Sequence, residues 1–192
     1  CVETDWDELS KLNVGGWGKW KGSKFDPERP ALLEEVLELA RPGRKIYVEV
    51  KGRNPEWVKY IKEVVGKSKA TPETMLFISF SAEVCRELKR MMPEYKVYWL
   101  TGAKVHPTAD SVIKVLKDIG ADGVDISFNK NIITKEYVDK VLAAGYELHV
   151  WTLDNLELVM MAFERGAMTV TTNRAKFLRD EYKKSVGGWL FW

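Results

Sequence analysis

Lys45-Ile-Tyr-Val-Glu-Val-Lys51 is followed, two residues later, by Asn54-Pro-Glu-Trp-Val-Lys-Tyr-Ile-Lys-Glu-Val-Val-Gly66. The first stretch alternates and is β-branched, so it reads as a strand. In the second, Trp57, Tyr60, Ile61, Val64 and Val65 recur at helical spacing. Asn54 suits the cap, Pro55 the first turn and Gly66 the end. Together they make one strand–helix unit.

Working outward, the unit recurs. Apolar runs at 75–79, 96–100, 123–127, 145–151 and 168–172 read as strands. Helical patterns follow each of them, at 82–92, 108–119, 134–144, 155–165 and 175–184. A helix of this length returns the chain to the starting edge, so successive strands are parallel. Six consecutive units predict an α/β fold of the TIM type, a (β/α)8 barrel, which uses eight. On this count the barrel is incomplete, with the two N-terminal units missing. The alternative is a six-stranded open sheet complete in itself. It would expose two parallel edges and an uncovered wall. The G-x-G-x-x-G fingerprint of open dinucleotide-binding sheets is absent, and Gly15-Gly-Trp-Gly18 has no strand before it.

Residues 1–43 read as a short helix capped by Thr4 or Asp5, a Gly/Trp-rich loop, and a second helix at 30–40. Residues 44–184 hold the repeating units, and 185–192 form an apolar tail. Cys1 in place of Met makes a truncated or partial chain the simplest account, and any targeting segment would precede it. The 192 residues suit one domain, and 45% hydrophobic content suffices for a core. A net charge of +2 is too small to suggest a nucleic-acid or anionic-membrane partner. No apolar run reaches transmembrane length. Cys1 and Cys85 make no disulfide framework, and Cys85 reads as a small buried residue of a helix.

In a barrel of this kind chemistry sits at the C-terminal ends of the strands. Tyr47, Glu49 and Lys51 share one strand face, because the side-chain period is two. A Glu and a Lys buried there unpaired would be costly. They are either a structural ion pair at the mouth or a metal-binding carboxylate beside an anion-binding amine. Trp151 is either a wall for a ligand or the cap of the barrel core. His149, two residues deeper, reads as a satisfied core residue, and His106 has no metal-ligand spacing around it. No Ser-His-Asp set, Cys-His pair or P-loop can be assembled.

Taken in order, these segments resemble the glycerophosphodiester phosphodiesterases, which are (β/α)8 barrels. Asp7-Glu-Leu-Ser-Lys-Leu-Asn-Val-Gly-Gly-Trp17 is similar to that family's L-x-x-L-D-A-G-S-W insertion. Glu28-Arg-Pro-Ala-Leu-Leu-Glu-Glu-Val-Leu-Glu-Leu39 resembles I-P-T-L-E-E-V-L, and Tyr47-Val-Glu-Val-Lys51 resembles I-E-I-K. Ile78-Ser-Phe80, His149-Val-Trp-Thr-Leu-Asp154 and Val170-Thr-Thr-Asn-Arg-Ala175 resemble S-S-F, V-W-T-V-N/D and I-T-T-D-R-P.

The resemblance implies metal-dependent hydrolysis of a small-molecule glycerophosphodiester to an alcohol and glycerol 3-phosphate, with Ca2+ or Mg2+ as cofactor. It places Glu49 among the metal ligands, Lys51 near the phosphate and Trp151 along the substrate pocket. The family's H-R-G, E-x-D and H-D motifs, on its first two strands, have no counterpart here. The resemblance therefore implies no catalytic histidine in this chain and inactivity of the chain alone. The exposed sheet edge and barrel wall of an incomplete barrel predict self-association. The rivals are a non-catalytic binding module and a lyase forming a cyclic phosphate on a related barrel.

Overall fold

The computed structural model describes residues 4–185, so Cys1 and the apolar tail lie outside the described residues. Five strands form one parallel sheet in the order β1-β2-β3-β4-β5. They are β1 (Ile46–Glu49), β2 (Met75–Ser79), β3 (Val97–Thr101), β4 (Gly123–Ser127) and β5 (Glu147–Trp151). Before β1 come α1 (Trp6–Leu9) and α2 (Leu33–Leu37). The crossovers are α3 (Val58–Gly66), α4 (Ala82–Met91), α5 (Ala109–Ile119) and α6 (Lys135–Ala143), and α7 (Leu156–Glu164) and α8 (Ala175–Ser185) follow β5. Among the described residues this is an incomplete α/β barrel.

Each of the four crossovers, and α7 after them, is preceded by a side-chain cap. The side chains of Asn54, Ser81, Thr108, Thr134 and Asn155 accept backbone N–H bonds from Glu56, Val84, Ser111, Tyr137 and Leu158. Each such cap stabilises a helix start by about 1 kcal/mol. The turn opened by Asn54 and Pro55 is 3-10 before α3 begins.

The sheet alternates faces as a period of two requires. Phe77, Val97, Trp99, Val124, Ile126, Leu148 and Val150 pack with Val84, Leu88, Val112, Leu116 and Val138 of the helices. The other face carries Leu76, Tyr98, Leu100, Asp125 and His149, all buried although they stand apart from the core that the described helices share. Curvature explains this. Across a flat sheet β2 and β5 would lie about 14 Å apart, yet Phe80, just past β2, and Trp151 of β5 meet ring edge to face at 5.8 Å.

Two expected elements are shorter than their patterns. The sixth strand, at 168–172, is reduced to one bridge, Val150 with Val170. The segment still lies alongside β5, with backbone bonds from Met168 N to Leu148 O, Val150 N to Thr169 O, Thr171 N to Val150 O and Leu153 N to Thr171 O, but their irregular spacing leaves a single bridge. Just past it, the Asp154 carboxylate accepts from Thr172 Oγ1 at 2.8 Å, Asn173 N at 2.7 Å and Asn173 Nδ2 at 3.0 Å. The helix expected at 30–40 spans Leu33–Leu37 only. The Glu35 carboxylate accepts the Leu32 N–H at 2.8 Å and pairs with Arg29, which starts the helix after Pro30.

Candidate active site

β1 ends where two bonds tie it to β2. Val50 N donates to Ile78 O at 2.9 Å, and Ser79 Oγ donates to Val50 O at 2.7 Å. Beyond Lys51 the chain turns sharply at Gly52, whose φ of +92° lies in the left-handed region. A Cβ there would also stand 2.4 Å from the Trp57 ring. Glu49 and Lys51 are thus delivered side by side to the C-terminal mouth, with Lys51 Nζ 2.7 Å from Glu49 Oε1. The Lys51 side chain is 79% exposed and that of Glu49 29%. The pair is neither buried nor unpaired, so desolvation costs little, and an ion pair this open contributes at most about 1 kcal/mol.

Trp151 extends over the mouth from β5. Its Nε1 donates to Asp125 O at 3.1 Å, which fixes the indole against β4. Phe80, 57% exposed, meets the indole edge from the β2 side. The two rings make an apolar wall across the concave face, and Phe80 had no special standing in the sequence beyond closing a strand.

Beneath the wall lies a polar layer that runs from half-buried to fully buried. Glu147 accepts from Tyr98 Oη at 2.6 Å and Lys96 Nζ at 2.8 Å. Burial pushes the Glu147 carboxyl up, but these two bonds outweigh it and hold the carboxyl below its usual range. The His149 and Tyr98 rings lie 4.1 Å apart, and His149 Nδ1 shares a 2.8 Å hydrogen bond with Thr169 Oγ1. Burial lowers the His149 pKa to about 4. Its Nε2 stands 3.5 Å from Glu147 Oε2 without a hydrogen bond. A buried imidazole kept neutral in this way is a core group rather than an acid–base catalyst at the mouth. Burial also pushes the Tyr47 hydroxyl up, with Thr169 beside it pulling the other way.

Asp125, which the sequence places at the end of the fourth strand without a role, carries more than that position suggests. It is 1% exposed, its Oδ1 has no hydrogen-bond partner, and burial raises its pKa to about 7. The signal was available, since Gly123, Asp125 and Ser127 fall on one face of a strand otherwise apolar. His106 lies elsewhere, its ring edge-on to Trp99 at 4.9 Å. An apolar groove of about 380 Å3, lined by Val159, Met160, Val170 and Leu178, lies between α7 and α8, outside the mouth. No described helix is long and apolar enough to cross a membrane.

The chemistry of the donor set bears on a cation. Ca2+ takes six to eight oxygen ligands, whereas Mg2+ takes six, several of them waters beside one or two carboxylates and substrate phosphate oxygens. Among the described residues no three His, Cys, Asp or Glu side chains group to hold a metal ion. Glu49 alone does not make such a site.

A model of the glycerophosphoryl diester phosphodiesterase family matches residues 1–176. No curated protein sequence matches the chain. Among solved structures, an Oleispira antarctica phosphodiesterase in complex with the product sn-glycerol-3-phosphate superposes with a TM-score of 0.80 at 20% identity. The match covers 95% of this chain and 72% of that one. A glycerophosphodiester phosphodiesterase from Parabacteroides distasonis gives 0.74 at 20% identity, again over 95% and 72%. At these identities the likeness establishes the fold.

Proposed function

Because the chain belongs to the glycerophosphoryl diester phosphodiesterase family, we propose that its mouth serves the hydrolysis of a glycerophosphodiester to an alcohol and glycerol 3-phosphate. The observation that carries this reading is the Glu49–Lys51 pair at 2.7 Å, held at the end of β1 on the face that Trp151 and Phe80 overhang. Lys51 supplies an ammonium for the phosphoryl oxygens, where negative charge concentrates during displacement. Trp151 and Phe80 form the wall against which the organic part of the substrate lies. The product bound to the Oleispira antarctica phosphodiesterase supports a small phosphorylated polyol as the ligand class.

Glu49 is the carboxylate that this mouth offers to a divalent cation of the Ca2+ or Mg2+ type. By itself it falls short of the donors Ca2+ takes, and Mg2+ would need substrate phosphate and water beside it. No step is therefore assigned to a metal. The described mouth also carries no imidazole in a position to move protons. From these two shortages we infer that residues 1–192 alone do not turn over.

The test has two parts. Glycerol 3-phosphate is titrated into the chain and followed by NMR. Shifts at Lys51 and at the Trp151 indole, lost in Lys51→Met with the fold retained, support the site. Shifts that survive Lys51→Met overturn it. Glycerophosphocholine is then offered with Ca2+ or Mg2+, and metal-dependent release of choline overturns the inference of inactivity.

A further inference from the structure

A net charge of +2 says nothing about how charge is distributed locally, and residues 12–25 are unlike the rest of the surface. Leu12 and Val14 are each 53% exposed, Trp17 82%, Trp20 47% and Phe25 43%. Single exposed apolar side chains are ordinary, but five large ones within one stretch of fourteen residues are not. Lys19, Lys21 and Lys24 are interleaved with the rings, and residues 15–25 contain no Asp or Glu.

The loop is built rather than slack. Val14 N donates to Glu28 O at 2.8 Å and closes its base. The Asn13 side chain accepts from Gly15 N at 3.0 Å and Gly16 N at 2.8 Å. Asp26, at the far end, accepts from Gly22 N at 2.8 Å and from the Asn13 amide. A short 3-10 turn, Gly18–Trp20, sets the two indoles apart. Trp20 and Phe25 pack edge to face at 5.4 Å. Lys19 Nζ lies 5.2 Å from the Trp20 ring and Lys24 Nζ 5.1 Å from the Phe25 ring. The scaffold turns the Asp26 carboxylate onto its own amides and sets Lys19 and Lys24 beside exposed rings.

We propose that residues 12–25 form an interfacial patch that seats the chain on an anionic lipid surface. Indoles favour the level of the headgroups, where the ring is shielded from water and its N–H stays wet. Lysines at that level meet phosphate charge while their stems lie along apolar surface. Leu12 and Val14 give nothing to a nucleic acid, having neither a stacking face nor a donor, but they suit an acyl boundary. Binding is read without turnover, so the outcome stands apart from the catalytic reading.

The experiment is flotation of residues 1–192 with phosphatidylcholine vesicles, with and without phosphatidylglycerol. Binding is expected only with the anionic lipid and should weaken as salt is raised. Trp17 has the most exposed ring in the segment, so Trp17→Ala should reduce binding with an unchanged circular dichroism spectrum. The triple variant Lys19→Gln, Lys21→Gln, Lys24→Gln should lower affinity for the anionic vesicles by about a hundredfold, about fivefold per lysine. Equal binding to both vesicle types, or none to either, overturns the proposal. So does a Trp17→Ala variant that floats like wild type but sediments as a smaller species, which would give the patch to a second copy of the chain.

Discussion

Replacing Asp125 by Asn tests the polar layer through its dependence on pH. Burial lifts the Asp125 pKa from 3.8 to about 7, so the folded chain prefers the neutral carboxyl. Below pH 3.8 both states hold the proton, and Asp125 costs nothing on this account. As pH rises, the unfolded chain releases its proton first. Stability then falls until the folded pKa is passed and is level above it. The full span is worth about 4 kcal/mol, and about 2–3 kcal/mol of it lies between pH 5 and pH 8. Asn is neutral throughout and of nearly the same shape. The difference in unfolding free energy between Asp125→Asn and wild type should therefore move in favour of the variant by about 2–3 kcal/mol from pH 5 to pH 8. Any fixed cost of packing the amide cancels in that comparison. Urea unfolding followed by circular dichroism at the two pH values measures it. A difference that is the same at both refutes the argument, because an ionisable buried carboxylate cannot leave it unchanged. His149 has the opposite sign. With its pKa lowered to about 4, it destabilises the fold as pH drops through 6.5 and the unfolded chain takes up the proton. Wild type combines the two trends between pH 4 and 6.5, so the variant should show a steeper acid-side loss.

Gly123→Ala should destabilise by at least about 2 kcal/mol, since its Cβ would stand 2.3 Å from Glu147 O on the paired strand and backbone cannot yield there cheaply; a midpoint in urea like that of wild type would contradict this packing. The Cys85 thiol is buried and pushed up to about 12, so a disulfide reagent should label it only after unfolding, and fast labelling of the native chain would place it elsewhere. The outer edge of β1 pairs with no other strand among the described residues. Sedimentation of residues 1–192 should accordingly show species above monomer mass, and a clean monomer would count against that.

Much of the architecture was legible because each crossover carries its own punctuation. Asn54 with Pro55, Ser81, Thr108, Thr134 and Asn155 mark helix starts by local chemistry, and each caps one in the fold. The sixth strand is the converse case. Its sequence has the right pattern, and the segment does bond to β5, but the spacing of those bonds leaves one bridge, Val150 with Val170. Register against a neighbouring strand is not written in the segment's own period.

Within the sequence alone, then, lay the parallel strand–helix repeat, the shared face of Glu49 and Lys51, and the position of Trp151 at a strand end. Period and capping are local properties, and both survive any change in how the sheet bends. The tertiary structure decided the rest. Curvature brings Trp151 onto Phe80 from three strands away, leaves Asp125 buried without a partner for Oδ1, and sets Tyr98 against Glu147 and His149. These depend on the sum of small twists between neighbouring strands, which no single segment encodes.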